Sequence, residues 1–216
     1  MSVKDFENNR WSNEDQKLEF RHKTVLSMID SGTVLDLGSG DGFLLSILKE
    51  KGIEGRGLDI SEEGISKAKV KGLDVSVFDF NNKLPFSDNT FDTVIMLDLL
   101  EHLYNPEFLL KEAYRVSKKN IIIGVPNFSS FPARIQMLFG KIPENNRPKK
   151  GHIFWFNYDI LKSILKKAKL RVVQIKSNTF FESIPLISII TKILTKLIPN
   201  IFSLSFVVLV EKKEFI

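Results

Sequence analysis

The sequence has 216 residues, of which 43% are hydrophobic and 26% are charged, with a net charge of +5 and no cysteine. A chain of this length builds one full hydrophobic core, so we expect a single domain spanning residues 1–216. The lack of cysteine excludes disulfides and thiolate metal sites, and the mild charge gives no general preference for nucleic acid.

The distribution of apolar residues bears on where the chain works. The first twenty residues contain no apolar stretch, so we expect no signal peptide. The longest apolar tract, residues 184–210, is interrupted by prolines and lysines, whereas a spanning helix needs about 20 mainly apolar residues. We therefore expect no transmembrane segment and a cytoplasmic location.

Strand-like and helix-like segments alternate from residue 33 onward. Short β-branched runs predict strands, and apolar residues three and four apart predict helices. The predicted strands span residues 33–38, 53–60, 73–80, 91–100, 119–126, 170–176 and 204–213. The predicted helices span residues 42–52, 61–72, 106–117 and 158–169, with Ser61 as an N-cap and Pro106 as a helix start.

This alternation predicts an α/β fold with a Rossmann-like, mainly parallel sheet covered by helices on both faces. Such sheets bind ligands outside the carboxyl ends of their strands. Two segments fall outside the alternation. Residues 1–30 predict a helical lid over the site, and residues 180–203 predict a helical insertion between the last two strands.

A glycine-rich loop, VLDLGSGDG, follows the first predicted strand and is the strongest signal in the sequence. Gly38, Gly40 and Gly42 let the backbone turn tightly and approach a ligand closely. The spacing is G-x-G-x-G, which differs from the G-x-G-x-x-G of dinucleotide folds. Asp36 and Asp41 would repel a pyrophosphate, but they suit a cofactor with an ammonium group and a sulfonium centre. S-adenosylmethionine (SAM) is such a cofactor.

Acidic residues also end the second and third predicted strands. Asp59 lies about twenty residues after the glycine loop, where an acid accepts hydrogen bonds from ribose hydroxyls in nucleoside-binding α/β folds. Asp79 and Phe80 are placed to accept from an adenine amine and to pack on its ring. Three acids at three successive strand ends favour a nucleoside site over three separate helix caps.

The order of these motifs from residue 33 to 176 resembles that of class I SAM-dependent methyltransferases. The resemblance implies a seven-stranded sheet with an antiparallel last strand. It also implies that the loop from Asp36 to Gly42 holds SAM, with the ribose at Asp59 and the adenine at Asp79 and Phe80. The full set of implied cofactor residues is Asp36, Gly38, Ser39, Gly40, Asp41, Gly42, Asp59, Ile60, Asp79, Phe80 and Leu97.

The segment PNFSSFPARIQMLFGKIP, after the fifth predicted strand, resembles the MetW-type proteins of methionine biosynthesis. These proteins carry a similar Pro-Asn-Phe, Arg and Gly-x-x-Pro pattern. One motif departs from that group, because this chain has LLEHL after the fourth strand where the group typically has Thr-Leu-Gln. This resemblance implies a SAM-binding partner or regulatory protein as an alternative to an enzyme.

The motifs LDLLEHL and KGHIFWF resemble quinone-pathway O-methyltransferases and methyltransferases of small-RNA 3′ ends. In those groups the matching acids and histidines can gather around a divalent metal, and here they are Asp98, Glu101, His102 and His152. Asp98 and Glu101 or His102 are three or four residues apart, so they can share one face of a short helix. A magnesium- or zinc-like ion would suit this set, and without metal His102 or His152 would act as a general base.

Our expectation is therefore a methyltransferase acting on a small molecule at oxygen, with quinone-like, lipid-linked and sugar acceptors all compatible. An RNA methyltransferase, suggested by the basic stretch 147–176, is a weaker alternative, and we do not expect a nucleic-acid partner. The apolar insertion packs on the domain, forms a dimer interface, or contacts a membrane surface. We expect a monomer or a homodimer.

Overall fold

Seven strands in one sheet form the centre of the protein, as seen in a computed structural model that describes residues 3–13, 17–180 and 185–213. The strands are β1 (Val34–Leu37), β2 (Gly55–Asp59), β3 (Asp74–Val77), β4 (Phe91–Leu97), β5 (Ser117–Pro126), β6 (Leu170–Asn178) and β7 (Ser205–Lys212). Their spatial order is β3-β2-β1-β4-β5-β7-β6. The predicted α/β fold is confirmed, including β7, which pairs antiparallel with both β5 and β6.

Helices connect the strands and cover both faces of the sheet. They are α1 (Val3–Asn13), α2 (Phe20–Leu26), α3 (Phe43–Glu50), α4 (Glu62–Val70), α5 (Pro106–Val116), α6 (Phe131–Leu138), α7 (Tyr158–Lys167), α8 (Pro185–Leu197) and α9 (Pro199–Phe202). Ser61 caps α4 by accepting a hydrogen bond from the Gly64 N–H, and Pro106 begins α5, as the sequence predicts. No helix among the described residues is long and apolar enough to cross a membrane.

The hydrophobic core has two halves, one on each face of the sheet, because successive strand side chains point to opposite faces. Leu35 and Leu37 of β1 pack with buried residues of α5 and α7. Val34, the residue before Leu35, packs with buried residues of α2, α3 and α4 on the other face. The sheet is therefore buried on both sides, and its strand ends are left to form a site.

Several elements differ from the prediction. The third and fourth strands end at Val77 and Leu97, each three residues before its predicted end. Helix α6 lies within residues 127–147, where no element is predicted. The single helix predicted within the insertion is two helices, α8 and α9, because Pro199 interrupts it.

The predicted lid and insertion are only partly described. Residues 1–2 and 14–16 of the lid, and residues 181–184 of the insertion, lie outside the described residues. Within the described part, the lid contains α1 and α2, and the insertion contains α8 and α9.

Candidate functional site

The glycine loop lies at the carboxyl end of β1, beside β4, where the order of the strands reverses. Gly38, Gly40 and Gly42 have φ angles of 80°, 53° and 75°, in the left-handed region that glycine adopts without strain. The Gly38 N–H donates to the carbonyl of Leu58 over 2.8 Å, which fixes the loop against β2. Gly38 lines a cavity at this edge of the sheet, whereas the side chains of Trp11 and Leu73 lie against Gly40 and Gly42, where a Cβ would clash.

Two buried carboxyl groups face the cavity beside this loop. Asp59 accepts hydrogen bonds from the N–H groups of Gly40 and Ser61, each over 2.8 Å. Asp36 is 3% exposed and accepts no hydrogen bond from any described residue. Burial, and next the charge of Asp59, raise the pKa of Asp36 to about 8. Burial also raises the pKa of Asp59, although hydrogen bonds from backbone N–H groups, those of Ser61 and Gly40 first, oppose the shift.

Ser39 and Asp41 have different surroundings within the loop. The Ser39 hydroxyl is buried without a hydrogen-bond partner in the described structure. Asp41 accepts from the Phe43 N–H at 3.1 Å and pairs with Lys71 at 2.7 Å. These contacts give Asp41 a role in starting α3, in addition to its place in the cavity wall.

The remaining predicted cofactor residues line the same cavity. Phe80 is buried at its wall, and Asp79, just beyond β3, accepts from both the N–H and the side-chain amide of Asn81. Leu97 ends β4 and Ile60 follows β2, and both line the cavity. The structure therefore brings every predicted cofactor residue to one edge of the sheet.

Helix α1 covers the glycine loop. The indole of Trp11 is 8% exposed and lies so close to Gly40 that a Cβ there would come within 2.0 Å of the ring. The side chain of Asn8 accepts from the Ser61 hydroxyl at 2.9 Å, which fixes α1 at the start of α4. The sequence predicts a lid here, but no local pattern predicts the Trp11–Gly40 contact because it joins distant segments of the chain.

Asp98 departs from the predicted arrangement. Its backbone has a φ of 49°, and the short 3-10 turn Leu100–His102 begins only after it. The prediction that Asp98 shares a helix face with Glu101 or His102 is therefore wrong. Its side chain forms an ion pair with Arg21 of α2, a residue that the sequence analysis missed because the two are far apart in the chain.

Glu101, His102 and His152 form a buried cluster behind this turn. The carbonyl of Glu101 accepts from the N–H groups of Ile153 and Phe154, which holds the segment with His152 against the turn. The two imidazole rings lie edge to face, with centroids 4.8 Å apart. The Glu101 carboxyl group is fully buried, and neither of its oxygens has a hydrogen-bond partner in the described structure.

Burial dominates the titration of all three groups. It raises the pKa of Glu101 well above its usual range, with Asp98 adding to the effect. It lowers the pKa of His102 to about 3, and the charge of His152 contributes. Burial also lowers the pKa of His152, whose Nδ1 lies 2.7 Å from the carbonyl of Asn145. Both imidazoles are therefore neutral at physiological pH.

The cluster does not fit a magnesium site. One ligand atom from each of Glu101, His102 and His152 lies within 4.8 Å of the others, but two of the three are imidazole nitrogens. Magnesium prefers oxygen ligands, and Asp98, the second expected oxygen ligand, lies outside this group and pairs with Arg21.

A second cavity adjoins the first on the side of this cluster. Arg10, Asp98 and His102 line both cavities, so the two meet at these residues. Glu101, His152, Lys149 and Lys150 also line the second cavity. The arrangement offers one space beside the glycine loop and a neighbouring space next to two neutral imidazoles.

Comparison with known proteins gives a family match over most of the chain. Residues 20–208 match the model of the family described as methionine biosynthesis protein MetW. The bifunctional methionine biosynthesis protein MetXA/MetW of Rhodopirellula baltica is 34% identical over 126 residues, which are 53% of this chain and 20% of that protein. Helix α1 lies outside the matched residues.

Methyltransferases are also similar to this chain. The ubiquinone biosynthesis O-methyltransferase of Idiomarina loihiensis is 27% identical over 128 residues, 50% of this chain and 51% of that protein. A solved structure of a SAM-dependent methyltransferase from Archaeoglobus fulgidus has a TM-score of 0.66 at 25% identity, covering 88% of this chain and 90% of the other. The chain spans between a fifth and about half of the length of these two curated relatives.

Proposed function

This chain belongs to the MetW family, and on that premise we propose that it is a SAM-dependent methyltransferase acting on a small molecule at oxygen. The observation that carries the proposal is the pair of buried carboxyl groups, Asp36 and Asp59, that line the cavity beside the glycine loop. Two buried acids facing one cavity are unfavourable without a positively charged ligand. SAM carries both an ammonium group and a sulfonium centre, so its charge complements these acids.

The roles of the cofactor residues follow from their positions. Asp36, which has no hydrogen-bond partner among the described residues, would accept from the ammonium group. Each oxygen of Asp59 accepts one backbone N–H and retains a lone pair for a ribose hydroxyl. Phe80 and Asp79 would hold the adenine, with Ile60 and Leu97 as apolar walls.

The residues of the second cavity would prepare the methyl acceptor. Bound SAM supplies an electrophilic methyl group on its sulfur. His102 lies where the two cavities meet, so it would contact an acceptor hydroxyl. Its pKa of about 3 makes the imidazole a weak base, so it would take up the hydroxyl proton only where the bound ligands raise that pKa toward neutrality. His152 and Glu101, packed behind it, would hold the ring in place and exclude water. Asp98 and Arg21 would position the turn that carries His102.

The second cavity also limits the acceptor. Arg10, Lys149 and Lys150 line it together with Asp98 and Glu101, and Lys149 is already paired with Glu144, so the cavity favours an acceptor with a polar part. Quinone-like, lipid-linked and sugar acceptors remain compatible. A cytoplasmic location stays a prediction of the sequence.

We do not propose an RNA acceptor, because acids pair with part of the basic stretch and the net charge of the chain is low. Arg147 and Lys149 both pair with Glu144, at 2.7 and 2.9 Å. Lys167 pairs with Glu107, and Arg171 pairs with Glu211. These three acids offset part of the charge of the stretch, and the net charge of the chain is only +5, so the overall attraction to a phosphate backbone is modest.

Calorimetric titration with SAM and its demethylated product tests the proposal. We expect the wild type to bind both, and Asp59→Ala to weaken binding by about tenfold or more, since it removes hydrogen bonds to an ionised group. Asp74→Ala, an exposed acid on the neighbouring β3, is the matched control and should bind as the wild type does. Failure of the wild type to bind either compound would overturn the proposal.

A second candidate function is a SAM-binding partner protein of methionine biosynthesis. It is favoured by the relative from Rhodopirellula baltica, in which a MetW part and a MetXA part share one chain. Size-exclusion chromatography of this chain mixed with a MetXA-type protein tests it. A complex together with SAM binding and no methyl transfer to any acceptor would favour the partner protein, and methyl transfer without a complex would favour the enzyme.

A further inference from the structure

Helix α8 presents its polar side chains to the protein and its aliphatic side chains to solvent. Ser188, Thr191 and Thr195, on one side of the helix, are buried at 7%, 4% and 9% exposure. Ile193 and Leu197, on the other side, are exposed at 54% and 71%. A surface helix of a soluble protein has the opposite arrangement, with its apolar stripe facing the core.

The buried hydroxyl groups of Thr191 and Thr195 are satisfied within α8 itself. Thr191 donates to the carbonyl of Ile187 over 2.9 Å, and Thr195 donates to the carbonyl of Lys192 over 2.8 Å. Packing them inward therefore leaves no unmade hydrogen bond at these two residues. The outward aliphatic side chains have no interaction within the helix that offsets their exposure to water. Their exposure therefore needs an explanation.

A second apolar segment lies at the same edge of the sheet. At the end of α6 and just after it, Leu138, Phe139 and Ile142 are 76%, 72% and 61% exposed. This second segment follows β5 in the chain, and α8 and α9 precede β7. The end of β5 and the start of β7 pair with each other through Pro126 and Ser205, so both segments leave the sheet at this edge. We call the following residues the apolar surface: Leu138, Phe139, Ile142, Ile189, Ile190, Ile193 and Leu197.

Positive charge borders the apolar surface. Residues 127–143 and 185–203 contain no aspartate or glutamate, and their charged residues are Arg134, Lys141, Lys192 and Lys196. Lys192 and Lys196 are exposed and one turn apart on α8, between its buried hydroxyl side and its aliphatic side. Their stems can lie along the isoleucines while their ammonium groups reach an anionic layer.

A second copy of the chain, another protein or a lipid bilayer could cover such a surface, and the charges around it distinguish these three occupants. In a twofold dimer through this surface the lysines would approach those of the second copy, which is unfavourable. The cores of protein interfaces are also poor in lysine. An interfacial helix combines aliphatic residues on one side with lysines that bind anionic lipid headgroups.

We propose that α8 and the end of α6 lie in the surface of a lipid bilayer that contains anionic lipids, and so attach the protein peripherally. The aliphatic side chains enter the boundary between headgroups and acyl chains, and Lys141, Lys192 and Lys196 contact phosphates. The carboxyl edge of the sheet, with both cavities, then lies near the bilayer. Delivery of an apolar acceptor from the membrane would follow, and this last consequence alone rests on the proposed function.

Vesicle co-sedimentation tests the surface without any need for SAM or an acceptor. We expect the protein to bind phosphatidylcholine vesicles containing phosphatidylglycerol about tenfold or more tightly than phosphatidylcholine alone, since each lysine adds an attraction of about fivefold. Ile189→Ser with Ile193→Ser should weaken binding to the mixed vesicles by about tenfold or more, because each isoleucine loses its apolar burial. Val70→Ser, at an even more exposed apolar residue on α4, is the control and should bind like the wild type.

The charge contribution has its own pair of variants. Lys192→Gln with Lys196→Gln should lower binding to the mixed vesicles and leave binding to phosphatidylcholine unchanged, whereas Lys51→Gln with Lys69→Gln, on exposed lysines elsewhere, should change neither. Far-UV circular dichroism checks that each variant is folded. Equal binding by wild type and the isoleucine variant would overturn the proposal, as would no binding to either vesicle. A dimer in light scattering that the isoleucine variant converts to monomer, without lipid binding, would assign the surface to a second copy.

Discussion

At the scale of single residues, Asp36 is a carboxyl group that the ligand-free fold does not require. It has no hydrogen-bond donor among the described residues, and Asp59 lies close by. Removing Asp36 from water favours its neutral form, which explains the pKa of about 8. Strongly shifted acids in a cavity are typical of binding sites, because the ligand supplies the charge that the fold lacks.

The shifted pKa predicts how stability depends on pH. An aspartate in the unfolded chain loses its proton near its model value of 3.8, whereas folded Asp36 keeps the proton up to about pH 8. Between these values the folded state binds more protons, so this residue lowers the free energy of unfolding as the pH rises. Urea unfolding should show that the wild type loses more stability from pH 5 to pH 8 than Asp36→Asn, by up to about 1.4 kcal/mol per pH unit. Asp30→Asn, at an exposed acid, is the control, and its free energy of unfolding should depend on pH as that of the wild type does. The same pH dependence for Asp36→Asn and the wild type would contradict the raised pKa of Asp36.

The histidine cluster gives a second prediction at this scale. The chain has three histidines, so their nitrogen resonances can be assigned from single His→Gln variants. We expect His102 to stay neutral from pH 5 to pH 8, because its pKa is about 3. His152 should carry its proton on Nδ1, which lies 2.7 Å from the Asn145 carbonyl. A midpoint near 6.5 for His102 in a pH series of NMR spectra would show that the ring is solvated and not buried beside the cavity.

At the scale of elements, the contact between α4 and the glycine loop couples helix packing to the cofactor cavity. Gly64, in the first turns of α4, lies against the backbone of Gly40, and a Cβ on Gly64 would come within 3.0 Å of the Gly40 carbonyl group. The contact places the start of α4 directly behind the loop. A side chain at this position must therefore move the loop, the helix, or both.

Replacement of Gly64 by alanine separates two opposing effects. Helix propensity alone would stabilise the protein by about 1 kcal/mol. We expect the steric contact to prevail, so Gly64→Ala should lower the free energy of unfolding by about 1 kcal/mol and weaken SAM binding. Ser66→Ala, at an exposed position of α4, should be neutral or slightly stabilising with unchanged SAM binding. A Gly64→Ala variant with a higher free energy of unfolding and unchanged affinity for SAM would contradict this expectation. It would show that the loop moves to accommodate the methyl group without affecting the site.

Local sequence patterns predicted most elements, because strands, caps and helix starts depend on neighbouring residues. Helix α6 was missed, since its sequence FPARIQML has two exposed apolar positions at the end and no clean apolar stripe. The acids and glycines of the loop were predicted as a group because successive strands bring their ends to one edge. The contacts of Arg21 with Asp98 and of Trp11 with Gly40 join distant segments, and no local pattern predicts them.

At the scale of the whole molecule, the sheet joins all seven strands, and this continuity predicts a single cooperative unfolding transition. Trp11 lies against the loop after β1, and Trp155, 57% exposed, stacks on Phe128 after β5. The variants Trp155→Phe and Trp11→Phe therefore report separately on the two halves of the sheet. Their fluorescence midpoints in urea should coincide with each other and with far-UV circular dichroism.

Helix α1 makes this test informative, because it lies outside the residues matched by the family model and is fixed mainly through α4 and the loop. If α1 opened independently, Trp11 would change at lower urea than Trp155, and the single-domain expectation for residues 1–216 would fail at the lid. SAM bound beneath Trp11 should stabilise both halves equally, by about 2.7 kcal/mol at a hundredfold excess over the dissociation constant. If SAM raised the urea midpoint reported by Trp11 fluorescence but not the one reported by Trp155, the ligand would stabilise the lid and not the whole fold.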